Sequence, residues 1–326
     1  MAASAPAPRR VPRDPSRGVL HRVLRAELGR FFARVEADPL RRVPSFVRRE
    51  LEGYLRCGVP GAGFARLRCR ACGLEELVYF SCKGRGFCPS CGGRRMASLA
   101  AHLVEQVLPR VAVRQWVFTL PFELRTLAAW NVEVLNTIRR IYWQEAARWL
   151  RRRGREAGLP DPRPGGVTFL QRFDSALRLN PHAHSIILSG VYDGESGAFH
   201  PLPAPGPDDL AAILHRISFR LTSWLVAAGY LDPGAPPEET GEEEGLPPEF
   251  TRAAVTGGSA LGARAAARWV ARLGADPHAQ VTFTRSRRSA MVQGFSLYVG
   301  PSIAACARQR LEQLCRCPLS PPSGWS

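Results

Sequence analysis

Six of the nine cysteines in this chain fall within the 35 residues from Cys57 to Cys91. Four of them form two Cys-x-x-Cys pairs, Cys69-Arg70-Ala71-Cys72 and Cys88-Pro89-Ser90-Cys91, with fifteen residues between. Two such pairs at this separation can offer four thiolates to one Zn²⁺, and Gly73, Gly92 and Gly93 free the turns behind them. Cys57 and Cys82 are left open. Either can replace a knuckle cysteine as ligand, and either can be a small buried residue. A site closed by four thiolates is structural, so no chemistry is expected there.

Charge is distributed unevenly around this cluster. Residues 1–160 carry 30 Lys+Arg against 13 Asp+Glu, while residues 161–326 carry 15 of each, so the whole net charge of +17 lies in the first half. A one-sided surplus suits a polyanion, because phosphate binding is driven by counterion release. The cations nearest the cysteines are Arg66, Arg68, Arg70, Lys83, Arg85, Arg94 and Arg95, the candidate nucleic-acid contacts. Arg makes up 44 of the 45 basic residues, as GC-rich coding also produces, so the asymmetry is the stronger signal. No uncharged apolar run is long enough for a membrane span. The start of the chain has no apolar stretch of signal-peptide length, and clustered cysteines without one indicate metal binding in a reducing compartment.

Apolar spacing predicts helices over 17–36, 97–108, 123–153, 208–229 and 302–316. It predicts strands over Val113–Leu120, Val167–Phe173, His182–Leu188, Val281–Arg285 and Met291–Tyr298. A loop around Asn180-Pro181 should join the second and third strands, and residues 231–250, rich in Pro, Gly and Glu, should be a solvated linker. Without βαβ regularity, the expected class is α+β with a largely antiparallel sheet.

A second motif, Asn180-Pro181-His182-Ala183-His184, enters the apolar strand Ser185–Leu188. Residues two apart on a strand point to one face, so His182 and His184 project side by side while Ala183 faces the core. Two imidazoles so placed can hold a divalent cation, although paired histidines on a strand are as often merely solvated.

With both motifs in place, the stretches 64–96, 114–125 and 165–194, followed by GFSLYVG (294–300) and RLEQLCR (310–316), resemble the rolling-circle insertion-sequence transposases. That family joins an N-terminal zinc-binding domain to a histidine–hydrophobic–histidine (HUH) nuclease. The resemblance implies this organisation: a basic arm and helix over 1–40, a zinc-ribbon-like domain over 41–108, and an HUH domain over 109–316 containing the acidic linker. The HUH fold is an antiparallel sheet flanked by helices.

The resemblance also implies an activity. A tyrosine attacks single-stranded DNA at insertion-sequence ends, with Mg²⁺ or Mn²⁺ held by His182, His184 and a third ligand. Gln171 is the first choice for that ligand and Asp174 the second. Zinc would be structural, and the protein cytoplasmic, bacterial and DNA-bound. The family's tyrosine is expected just after RLEQLCR, where this chain has Cys317, and 317–326 diverges as if cut short. Tyr298 is then the remaining candidate nucleophile, against an alternative role as a packed aromatic. Two further readings stay open: a non-catalytic, zinc-dependent DNA-binding protein, and a metal-dependent hydrolase that activates water without a tyrosine.

Overall fold

A computed structural model describes residues 15–38, 42–83, 88–174, 178–231, 280–284 and 287–316. The basic arm before Pro15, Arg85, residues 232–250 of the acidic linker, and Cys317 with the tail after it lie outside these. The chain divides into two compact units, split between Arg95 and Met96.

The first unit pairs helix α1 (Val19–Glu36) with helix α2 (Ser45–Arg56). The sequence reading anticipated α1 but not α2. His21 of α1 is buried and donates from Nε2 to the Leu55 carbonyl at 3.1 Å, which ties the two helices together. Strands β1 (Phe64–Arg68) and β2 (Glu75–Tyr79) follow as an antiparallel hairpin with Phe64 opposite Tyr79 and Arg68 opposite Glu75. Helix α3 (Pro89–His102) then starts directly behind Cys88, earlier than the periodicity suggested. The core of this unit is small: Tyr54, Cys57 and Cys88, packed by Leu20, Leu24, Leu55, Cys82 and Cys91. With half of these residues cysteines, apolar burial alone is a weak source of stability.

The second unit is built on a six-stranded sheet in the order β5-β6-β3-β11-β10-β9, every neighbouring pair antiparallel. Its strands are β3 (Val113–Thr119), β5 (Gly166–Phe173), β6 (Leu179–Leu188), β9 (Thr282–Phe283), β10 (Ser289–Val292) and β11 (Phe295–Ile303). Helices α4 (Phe122–Trp130), α5 (Val132–Glu156) and α6 (Pro207–Ala227) supply the apolar residues that cover one face, where Trp116, Phe118, Ala183, Ile187 and Leu297 form the main core. The opposite face is covered at one end only. There Val113, Ile186, Leu188 and Ile303 meet Ala100, Leu103 and Val104, together with Leu311 and Cys315 of helix α7 (Arg308–Arg316). A small sheet of β4 (Pro162–Arg163), β7 (Gly190–Asp193) and β8 (Phe199–Pro201) stands apart.

Three expectations are corrected. The predicted helix over 123–153 is two helices, because Asn131 is extended (φ −111°, ψ 109°) and its side-chain oxygen accepts from the amides of Glu133 and Val134. That is an N-cap, and it restarts the helix. The predicted strand Met291–Tyr298 is two strands. Gln293 and Gly294, at φ 49° and 77°, form the left-handed pair that a two-residue hairpin turn requires. Finally, Asn180 and Pro181 lie inside β6 rather than in a loop. They form a bulge where the register with β5 shifts between Gln171 and Phe173, a position that accommodates proline's missing N–H.

Candidate metal centres

Four thiols converge in the first unit. Cys57 ends α2, Cys82 follows β2, Cys88 precedes α3 and Cys91 lies in its first turn. The backbone brings them together through the base of the hairpin: Gly58 donates to the Phe80 carbonyl at 2.9 Å, and Phe80 donates to Gly63 at 3.0 Å. The four sulfurs lie within 4.8 Å of one another. The pairs Cys57–Cys91, Cys82–Cys91 and Cys57–Cys88 are each at 3.6 Å. Zn–S bonds of about 2.3 Å in a tetrahedron require sulfurs about 3.8 Å apart, so this quartet fits zinc. Burial pushes the Cys88 thiol up to about 11. Burial also acts to raise Cys91, but hydrogen bonds from the Cys57, Cys82 and Cys88 thiols outweigh it and bring Cys91 below the ordinary thiol range.

This quartet differs from the expected ligand set. Cys88 and Cys91 are in the quartet, but Cys69 and Cys72 are not: Cys57 and Cys82 take their places. Cys69 and Cys72 are exposed at the tip of the β1–β2 hairpin, where Cys69 donates to the Leu74 carbonyl and Gly73 turns at φ 70°. Five-residue strands at about 3.3 Å per residue put that tip some 15 Å from the base. Backbone amides of Cys72 and Ala71 and the Cys72 thiol hydrogen-bond to the Cys69 sulfur, which lowers its pKa.

Of the seven candidate DNA contacts, Arg66 is held by Glu75 at 2.6 Å, and Arg68 stands 3.9 Å from the same carboxylate. Arg70, Lys83, Arg94 and Arg95 are exposed, and Arg85 is outside the described residues.

In the second unit, β6 lies between β5 and β3. His182 is opposite Gln171 on one side and Thr119 on the other, and His184 is opposite Phe169 and Val117. Both rings therefore project from the face away from the main core, their centroids 4.8 Å apart, at the end that the helices leave open. His182 donates from Nδ1 to the Asn180 carbonyl at 2.6 Å. This bond leaves the lone pair on Nε2, the tautomer a metal ligand needs. Nδ1 of His184 stands 3.1 Å from the Gln115 side-chain amide. The amide Nε2 donates to this nitrogen, so Gln115 fixes the orientation of the His184 ring. Burial first, and the neighbouring His182 second, lower the His184 pKa to about 4, so its ring is neutral at ordinary pH.

Gln171 shares this face, directly across from His182. Asp174 is engaged by Arg178, whose Nε donates to it at 2.8 Å and whose backbone amide donates at 3.0 Å. Among the described residues no carboxylate or thiol groups with the two imidazoles as a third ligand. Two imidazoles with an amide opposite suit a divalent cation that keeps open positions.

Tyr298 is opposite Val117, which is itself opposite His184, so the tyrosine is on the histidine face two strands away, about 10 Å at ordinary strand spacing. Its ring leans along β11. A methyl group added to Gly300 would stand 3.5 Å from the Tyr298 hydroxyl.

The sequence reading missed a cleft of about 880 Å³ beside β5, whose lining includes Arg139, Arg140, Trp143 and Thr168. The helical periodicity of α5 made these arginines look like an ordinary solvated face, and only the edge strand β5 turns that face into a groove.

The comparison with family models bears on the first unit. Residues 27–120 match the transposase zinc-binding domain. The match includes all six clustered cysteines and runs through β3, so the thiol quartet lies within the matched segment. No curated protein and no solved structure matches the chain. No helix among the described residues is long and apolar enough to cross a membrane.

Proposed function

We propose that this chain is a DNA transposase with an HUH-type site, in which the zinc-organised first unit docks DNA and His182, His184 and Gln171 serve strand cleavage. The observation that carries this reading is the side-by-side histidine pair on an open sheet face, downstream of a transposase zinc-binding domain. A Mg²⁺ or Mn²⁺ ion bound there would offset charge on a scissile phosphate.

The chain's own contributions follow from the geometry. The Asn180 carbonyl holds His182 with its Nε2 lone pair free, and Gln115 fixes the orientation of the His184 ring. The cleft with Arg139, Arg140 and Trp143, on the face of the sheet opposite the histidines, pairs cations with an aromatic surface, the combination that suits a flexible single strand passing the edge of β5. Tyr298 is the candidate nucleophile, because it shares the histidine face. Its oxygen would bond to phosphorus as the bond to the 3′-oxygen breaks, leaving a phosphotyrosine and a free 3′-OH.

The placement of the Tyr298 hydroxyl beside Gly300 favours a second reading, a zinc-dependent DNA-binding protein that does not cut. One experiment separates the two. Single-stranded DNA carrying an insertion-sequence end is incubated with the chain and Mn²⁺ and run on a denaturing gel. Under the transposase reading a covalent adduct forms and is lost in both His182→Ala and Tyr298→Phe. An adduct that survives Tyr298→Phe removes that residue as nucleophile. Retained DNA binding without an adduct decides for the binding protein, and metal-dependent cleavage without one points to a water-activating hydrolase.

A further inference from the structure

The closed quartet leaves two of the six clustered cysteines unused. Cys69 and Cys72 form a preorganised pair, since the amides of Ala71 and Cys72 and the Cys72 thiol all hydrogen-bond to the Cys69 sulfur. Gly73, at φ 70°, returns its amide to the Cys69 carbonyl at 3.0 Å and completes the turn. The same device recurs in the quartet, where the Cys91 amide bonds to the Cys88 sulfur. The tip is thus shaped for a thiolate-bound ion. Two thiolates do not satisfy tetrahedral zinc, however, and no third His, Cys, Asp or Glu among the described residues joins this pair. The nearest carboxylate in sequence, Glu75, is committed to Arg66.

The hairpin that carries the pair is itself unpartnered. Among the described residues β1 and β2 pair only with each other, and both strands are exposed along almost their full length. Phe64 and Leu77 are exposed on one face of the ribbon and Leu67 on the other, with Leu74 beside the knuckle at 69%. A two-stranded ribbon is marginal by itself, and exposed apolar groups along it mark a protein contact.

We infer that the Cys69–Cys72 knuckle is half of a second zinc site, completed by the same knuckle of a second copy of this chain, so that one ion bridges two hairpins. A two-fold contact presents identical patches to each other, so it delivers the two missing thiolates and covers apolar residues of both hairpins together. Any other partner would need a cysteine pair of its own. Four thiolates leave the bridging ion with net negative charge, which the exposed Arg70 of each copy, lying between the two cysteines, offsets. This site does not depend on DNA cleavage.

The test is native mass spectrometry of the full chain, reduced and loaded with Zn²⁺, beside Cys69→Ser/Cys72→Ser. Dimers carrying three zinc ions are expected, one per quartet and one shared, and the double variant should give monomers that each keep one. Because a substituted hairpin can misfold, the unmodified chain is also titrated with a weak chelator. Loss of the shared ion should convert dimers to monomers that retain one zinc each. Wild-type monomers with one or two zinc ions overturn the inference, as do dimers that survive the double substitution. A double variant that binds no zinc overturns it too, by making Cys69 and Cys72 ligands of the first site.

Discussion

The sulfurs of Cys57 and Cys91 stand 3.6 Å apart although 34 residues separate them in sequence. One belongs to the end of α2 and the other to the start of α3, so an ion between them joins two helices that share few apolar contacts. Because cysteines make up half of the first unit's core, the metal is its main cross-link. Binding a structural zinc is worth on the order of 10 kcal/mol in small domains. Chelation is therefore expected to unfold residues 15–95 while leaving the second unit folded. Limited proteolysis after strong chelation should cut the first unit rapidly and spare a fragment that begins near Met96. Equal protection of both units would show that the quartet does not hold the first one together.

Glu145 of α5 is 1% exposed and is held by Arg216 at 2.8 Å and Arg220 at 2.6 Å, both on α6. The two sides of this clamp are not equivalent. Removing the carboxylate by Glu145→Gln leaves two arginines that still reach water, at a cost of about 1–3 kcal/mol. Removing both α6 cations by Arg216→Met/Arg220→Met leaves the buried carboxylate only the exposed Arg148 at 4.0 Å, at up to about 3–5 kcal/mol. Chemical denaturation midpoints of the two variants should fall in that order, and the reverse order would refute this account of the helix pair.

His184 makes stability depend on pH in a defined window. Its folded-state pKa of about 4 lies below the ordinary imidazole value near 6.5. Above that value neither state binds the proton, so there is no effect. As pH falls from about 6.5 toward 4, the unfolded chain takes up a proton that the fold resists, and stability falls. Replacing the ring by His184→Gln should flatten this part of the profile. Urea midpoints at pH 7, 5.5 and 4.5 provide the check, and parallel profiles for both proteins would rule the contribution out.

Asn131 has two duties: it caps α5 through its side-chain oxygen, and its amide donates to the Tyr230 hydroxyl at 2.9 Å. Asn131→Ala should lose both and cost about 1–2 kcal/mol. Asn131→Asp keeps the cap and should recover at least half of that loss. A thermal-melt series of the two variants measures it, and equal melting points would mean that the cap contributes nothing.

The histidine pair and the quartet differ in how far they can be read before folding. Side chains two apart on a strand share a face whatever the strand packs against, and the apolar run Ser185–Leu188 makes β6 unmistakable. Cys88 and Cys91 are similarly legible, because four residues of one turn bring their own ends together. The other two quartet members were not. Cys57 and Cys82 are lone cysteines in sequence, and they meet the helix start only because the hairpin returns Phe80 to the end of α2. The break at Asn131 escaped notice because both helices share one apolar periodicity. A polar residue at a solvent-facing position looks the same as a cap.

What the sequence determined by itself is local: the paired imidazoles, the α+β alternation, the Cys-x-x-Cys turns, and a cationic first half. Strand period and turn geometry act over two to four residues and need no partner. Tertiary structure decided which cysteines form a closed site, which knuckle is left exposed, and that Tyr298 shares a face with His184 across Val117. Those relations span from 9 residues, between Cys82 and Cys91, to more than a hundred, between His184 and Tyr298. Long-range strand register and the return path of a hairpin set them, and no local preference encodes either.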